Sequence, residues 1–166
     1  MNHYRLFACE LAEELLLEET QRGKEVPGEL RHAVQVARDH AARNATDEIL
    51  SSMWNTCRYV STRTPSLDEC TPDQRRSKYV AWCCAACFKL ISTDAVICAA
   101  VEFCQYYASR AENEAQRAQI WRSKVGYLCC LLEIRLRDAR LPMDYLGEFS
   151  ETMQRLMAEA LTPGAH

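Results

Sequence analysis

Apolar residues recur every three or four positions along most of this 166-residue chain, which is the spacing of one face of an α-helix. The spacing predicts seven helices, and nowhere do apolar and polar residues alternate between turn residues as they would in a strand. The predicted bounds are about 3–22, 28–43, 46–62, 72–92, from 93 or 94 to about 108, from beyond 113 to about 140, and 143–161. The pattern therefore predicts an all-α fold.

The most apolar stretch, residues 79–108, is expected to organise the rest of the fold. It falls into two halves separated by Ser92, Thr93 and Asp94, and each half is apolar nearly all round. A helix that is apolar on every face has no side to leave in water, so both halves are expected to be interior. We predict a single domain, residues 1–166, in which about seven helices form a bundle around this central hydrophobic helix pair.

Polar residues and proline predict where helices begin and end. Thr71 followed by Pro72 is typical of a helix start, because threonine caps the first turn and proline suits the first helical position. The apolar spacing lapses after residue 108 with neither glycine nor proline present. Residues 94–140 therefore form either one long helix or two, and we favour a break near Asn113.

Composition and charge narrow the class of protein. Hydrophobic residues make up 48% of the chain and charged residues 26%, as in folded globular proteins. The net charge of −3 gives no general attraction to nucleic acid or anionic membranes. No apolar run is long enough to span a bilayer, and the N-terminus lacks a signal-peptide pattern, so a cytoplasmic location is expected.

The first helix is the strongest candidate for a contact surface. Residues 1–25 carry six acids against three bases. Four of the glutamates are predicted to lie opposite the apolar stripe: Glu10, Glu13, Glu14 and Glu18. Such an acidic face suits a basic partner protein, although a charged face turned only to solvent would look the same.

Ten cysteines raise the alternative of a metal site. Eight lie in apolar helical stretches, where a free cysteine behaves as a small buried hydrophobe. Cys83, Cys84 and Cys87 are close enough along a helix to bind Cu(I) or Zn through thiolates. The competing interpretation is that these cysteines replace alanine in a reduced core. We favour the reduced core, and so predict no cofactor.

Catalytic motifs are missing from the sequence. The five glycines form neither a phosphate-binding loop nor a dinucleotide fingerprint, and there is no Gly-x-Ser-x-Gly elbow. We therefore expect a protein that is not an enzyme. Two short basic clusters leave a third alternative, a small helical subunit of a nucleoprotein or defence complex. These clusters are Arg75, Arg76 and Lys78, and Arg135, Arg137 and Arg140.

Three segments resemble alanine-rich, all-helical bacterial proteins, a group that includes predicted immunity proteins of polymorphic toxins. The segments are residues 5–9, residues 33–38 and residues 45–48. The resemblance covers about residues 5–108, and cysteine replaces alanine in residues 81–87. It implies a helical binding protein without catalysis that neutralises a toxin or serves a defence system. It assigns no functional residue.

Overall fold

The computed structural model describes residues 2–42 and 46–162. Over these residues the chain forms seven α-helices and no strand, which confirms the predicted all-α class. The helices are α1 His3–Gln21, α2 Gly28–Ala41, α3 Asp47–Thr62, α4 Pro72–Ala86, α5 Ser92–Ala108, α6 Glu114–Asp138 and α7 Asp144–Ala160. The predicted end of the second helix near Arg43 lies outside the described residues. The sequence also predicts that Pro163 and Gly164 stop the last helix, and these two residues lie outside them as well.

Side-chain caps account for three of the helix starts. At α1 the Asn2 side chain accepts a hydrogen bond from the Arg5 backbone N–H at 3.1 Å. The Thr71 hydroxyl accepts a hydrogen bond from the Gln74 backbone N–H, and the Gln74 side chain accepts one from the Thr71 N–H in return. The Asn113 side chain accepts from the Gln116 N–H at 2.9 Å. Each cap satisfies N–H groups that have no partner within the helix. The predicted break near Asn113 is confirmed.

The fourth helix is shorter than its apolar pattern predicts. We expected it to reach Ser92, but it ends at Ala86, and residues 87–91 form a turn. Leu90 and Ile91 are exposed in this turn, so the expectation that all of residues 79–108 are interior is wrong here. Arg5 donates hydrogen bonds to the carbonyls of Cys87 and Lys89, and these contacts stabilise the turn.

The chain divides into two compact units, one up to Phe103 and the other from Cys104 onward. In the first unit α1 packs against α2 and α4, and α3 packs against α2 and α4. In the second unit α6 packs against α7, with Trp121 and Phe149 fully buried. The single-domain organisation stays a prediction.

Length and apolar character together decide whether a helix can cross a bilayer. None of the helices within residues 2–42 and 46–162 has enough of both to do so.

Candidate functional site

A groove of about 200 Å³ lies between α1 and α2 in the first unit. Apolar side chains form its floor and polar side chains its rim. The lining residues are Glu13, Leu16, Leu17, Arg31, Val34 and Gln35. Leu16 and Val34 are buried, whereas Leu17 is 55% exposed. The groove therefore offers an open apolar surface with room for a side chain from another molecule.

The sequence explains why Leu17 is left in water. Residues 15–17 are three consecutive leucines, and successive residues on a helix point about 100° apart. Leu15 and Leu16 face the core and are buried, so Leu17 has to point away from it. This run was the one sign of the groove visible in the sequence.

Neighbouring residues hold the polar rim in place. The Arg38 guanidinium donates to both Glu13 carboxylate oxygens, at 2.5 and 2.7 Å, and this hydrogen bonding raises the pKa of Arg38. Arg31 Nη2 donates to the Thr20 hydroxyl at 2.5 Å. A rim fixed in this way loses little conformational freedom when a partner binds.

The acidic face of α1 carries the four glutamates predicted as contact residues. All four predicted contact residues are half-buried, and none stands alone in solvent: Glu10, Glu13, Glu14 and Glu18. Only Glu13 lines the groove. The acidic character of α1 thus lies beside the groove and is not a bare charged surface.

The predicted metal-binding thiols lie in the core of the first unit. Cys83, Cys84 and Cys87 are all 0% exposed. The Cys83 thiol donates to the Ala99 carbonyl at 3.5 Å, and the Cys87 thiol to the Cys83 carbonyl at 3.6 Å. Burial raises the pKa of Cys84, while a hydrogen bond with Cys9, followed by burial, raises the pKa of Cys87. Such thiols stay protonated at neutral pH and pack as small apolar groups.

Metal ions are held in proteins by several side chains of His, Cys, Asp or Glu. Within residues 2–42 and 46–162, no three side chains of His, Cys, Asp or Glu are arranged to hold a metal ion. All ten cysteines are free thiols.

Thiol reactivity distinguishes these cysteines. Cys130 was expected in the core because it follows apolar residues, but it is exposed on α6. We expect a thiol reagent such as DTNB to modify Cys130 within seconds to minutes, with the fully buried thiols of the first unit reacting only on unfolding. Cys130→Ser should remove the fastest phase, and the part-exposed Cys98 and Cys129 should react more slowly. Fast, stoichiometric labelling that persists when Cys98, Cys129 and Cys130 are all replaced by serine would show that the buried thiols are accessible.

The side chains of the first predicted basic cluster form hydrogen bonds and an ion pair with other residues of the first unit. Arg76 pairs with Asp73, Lys78 donates to the carbonyls of Thr64 and Pro65, and Arg75 donates to the carbonyl of Leu67. These contacts tie the loop before α4 to its first turns. In the second cluster, Arg137 pairs with Glu133 at 2.5 Å, and Arg135 and Arg140 are exposed.

The Asp73 carboxylate pairs with three cations from two helical regions. Its carboxylate accepts from Lys24 at 2.5 Å, from Arg22 at 3.3 Å and from Arg76. Hydrogen bonds from Lys24 first, and then from Arg76, hold the pKa of Asp73 well below its usual range. The cluster links the residues after α1 to the start of α4.

We expect Asp73→Asn to lower the free energy of unfolding by about 1 kcal/mol at pH 7, because the carboxylate is part-exposed and water screens its ion pairs. The folded-state pKa is depressed, so the contribution is present above about pH 4 and is lost as the pH falls further. Urea unfolding across this pH range, with the exposed Asp68→Asn as control, measures the effect. If the difference in the free energy of unfolding between the wild type and Asp73→Asn does not shrink below about pH 4, it does not come from the ion pairs of the Asp73 carboxylate.

Comparison of the chain with protein-family models, with curated proteins and with solved structures gives no match. The function is therefore inferred from the chemistry of the groove and its surroundings.

Proposed function

We propose that this protein acts by binding another protein, without catalysis, at the groove between α1 and α2. The observation that carries the proposal is Leu17, an aliphatic side chain that is 55% exposed beside a buried apolar floor. Preformed apolar recesses with a few fixed polar groups are typical of binding sites. Binding at this groove would remove Leu17 from water, which supplies the driving force.

The surroundings of the groove favour a partner with a basic character. Residues 1–25 carry six acids against three bases, although Glu13 on the rim itself is already paired with Arg38. Opposite charges across an interface increase the association rate and select against other partners. We therefore propose a partner that inserts an apolar side chain and carries lysine or arginine next to it.

The resemblance of residues 5–108 to predicted immunity proteins supports a more specific role. On that basis we propose that the partner is a protein toxin, which this protein binds and neutralises in the cytoplasm. Alternatively, the partner is another component of a defence system. In both cases the protein works through contact alone and its own residues perform no reaction.

The decisive experiment starts with a tagged protein purified from its own host and identification of a stoichiometric partner. Calorimetry with the isolated partner then compares the wild type with Leu17→Glu. Burying a leucine contributes about 1.5–3 kcal/mol, so we expect the variant to bind at least about tenfold more weakly. Glu14→Lys should mainly slow association with a basic partner.

The matched control is Tyr59→Glu, because Tyr59 is 63% exposed, slightly more than Leu17, but lies on α3. It introduces the same charge without altering the groove, and should bind the partner as the wild type does. Equal affinity of wild type and Leu17→Glu would remove the groove as the binding site.

A further inference from the structure

A buried cation and two buried thiols meet where α1 passes the turn that follows α4. Arg5 is only 2% exposed, and Cys9 and Cys87 are both 0% exposed. Arg5 donates to the Cys87 carbonyl at 2.7 Å, which places residue 87 against the first turns of α1. Cys9 follows Arg5 by one helical turn and lies on the same face of α1. A hydrogen bond joins the Cys9 and Cys87 thiols, so the two sulfur atoms are neighbours beside the guanidinium.

The positive charge of Arg5 has no ion pair within the described part of the chain. Its two terminal nitrogens donate to backbone carbonyls, and its Nε is buried without a hydrogen-bond partner. Burial lowers the pKa of Arg5, and Cys9 and Cys87 oppose this most strongly, but their thiols carry no charge while they are protonated. A buried cation without an anion is unfavourable. Negative charge on the two sulfur atoms would remove this imbalance.

Two thiolates and one copper(I) ion supply the missing negative charge. Copper(I) is a soft ion that thiolates bind well, and its filled d shell allows a linear complex with only two sulfur ligands. When the ion binds, two S–H bonds break, two Cu–S bonds form, and both protons leave to the solvent without any change of oxidation state. The complex carries one negative charge, which balances the single positive charge of Arg5.

We infer that Cys9 and Cys87 bind one copper(I) ion as a pair of thiolates, with Arg5 as the counter-cation. Zinc does not suit this site, because structural zinc takes four ligands. Within residues 2–42 and 46–162 no three side chains of His, Cys, Asp or Glu are arranged to hold a metal ion. The pair shares only Cys87 with the metal-binding set that the sequence predicted. It lies apart from the α1–α2 groove, so the inference goes beyond the proposed function and does not depend on it.

Bound copper would link α1 to the turn that follows α4. A ligand that binds only the folded state stabilises it, so the copper-bound protein should resist unfolding better than the metal-free protein. The two thiols have no exposed surface, and the ion therefore reaches them while the chain folds or opens locally. Copper has to be added during refolding for the test to be independent of access to the core.

Refolding from urea in the presence of copper(I), without oxygen and with a phosphine reductant, tests the inference. The starting protein has serine at Cys98, Cys129 and Cys130, so that exposed and part-exposed thiols do not contribute. We expect it to retain one equivalent of copper(I) against the competing chelator bicinchoninate, and to show thiolate-to-copper charge-transfer absorption in the near ultraviolet. It should also unfold at a higher urea concentration than the metal-free protein.

Removal of a ligand or of the counter-cation should weaken copper binding. Cys9→Ala and Cys87→Ala each delete one of the two thiolates, so each should bind copper(I) at least about a hundredfold more weakly. Arg5→Met deletes the counter-cation and should bind about 10–100-fold more weakly, whereas Arg5→Lys keeps the charge and should bind more tightly than Arg5→Met. Circular dichroism of the metal-free variants shows whether each is folded, and either cysteine variant alone is sufficient for the test.

The matched controls are Cys57→Ala and Cys84→Ala, which remove thiols that are also 0% exposed. Both should bind copper(I) as the starting protein does. The inference is overturned if the starting protein retains no copper(I) against bicinchoninate, or if a folded Cys9→Ala variant binds it equally well. Loss of binding in Cys84→Ala but not in Cys9→Ala would also overturn it, since the ligands would then be those predicted from the sequence. None of these results affects binding of a partner protein at the groove, which calorimetry measures separately.

Discussion

We expect Arg5→Met to lower the free energy of unfolding by about 2–4 kcal/mol at pH 7. Arg5 is only 2% exposed, and its two terminal nitrogens donate to the carbonyls of Cys87 and Lys89, more than 80 residues away along the chain. Methionine fills much of the same volume but donates no hydrogen bond. The Cys87 carbonyl is buried, and leaving such a group without a partner costs about 1–3 kcal/mol. The Lys89 carbonyl is part-buried, so its loss costs less because water can reach it.

The opposing effect is the cost of keeping a cation away from water. Burial lowers the pKa of Arg5, and Cys9, Cys87 and Asp47 act in the opposite direction with smaller effects. Among the residues that the structure describes, no carboxylate hydrogen-bonds to the guanidinium. Replacing such a buried charge by an apolar residue can stabilise a protein. The carbonyls of Cys87 and Lys89 follow the C-terminal end of α4, where the helix dipole is negative. Their negative partial charge offsets the cost of keeping the Arg5 cation away from water. Whether Arg5→Met is less or more stable than the wild type therefore shows which is larger, the cost of unpaired carbonyls or the cost of burying the Arg5 cation.

Urea unfolding followed by far-UV circular dichroism measures the difference. Arg122→Met is the matched control, because Arg122 is exposed on α6, and it should change stability by less than about 0.5 kcal/mol. Arg5→Lys keeps the charge but has a single nitrogen, so it should lie between the wild type and Arg5→Met. An Arg5→Met variant at least as stable as the wild type would mean that desolvation outweighs the hydrogen bonds.

Local sequence patterns were sufficient to predict most of the helices. The apolar spacing predicted every helix that the structure describes, and polar residues such as Thr71 and Asn113 located two of the starts. These features depend on residues within a few positions of one another, so the sequence displays them directly.

Long-range contacts explain what local patterns missed. Residues 87–91 contain neither glycine nor proline, and only Arg5, brought there by folding, indicates that the helix stops before them. The rim of the groove likewise depends on Glu13 and Arg38, which lie 25 residues apart on different helices. Periodicity shows that a residue faces outward, but it does not show which residue from another helix lies beside it.

The second large effect on the free energy of unfolding is expected at Glu102. It lies half-buried on α5, and no hydrogen bond or ion pair holds its carboxylate within the described residues. Burial raises the pKa of Glu102 to about 8 from an ordinary value near 4.5. Ionisation of a carboxylate without a compensating partner is unfavourable in such surroundings. The folded protein therefore holds a proton here at neutral pH.

The consequence is a loss of stability as the pH rises. Between about pH 4.5 and 8 the folded state retains the Glu102 proton that the unfolded chain has already released, so the free energy of unfolding falls across this window. The full shift corresponds to about 5 kcal/mol, and partial contact with water reduces the expected loss to about 2–3 kcal/mol. Glutamine cannot ionise, so Glu102→Gln should not lose this stability.

Urea unfolding of the wild type and Glu102→Gln at pH 5 and pH 9 tests the argument. We expect the two proteins to differ little at pH 5, and the variant to be more stable by about 2–3 kcal/mol at pH 9. Glu151→Gln, an exposed position on α7, is the control for changes common to any glutamate. Comparing variants at the same pH also cancels the ionisation of the cysteine thiols. If Glu102→Gln gains nothing at pH 9, the carboxylate is solvated or paired when it ionises, and its burial has no effect on stability.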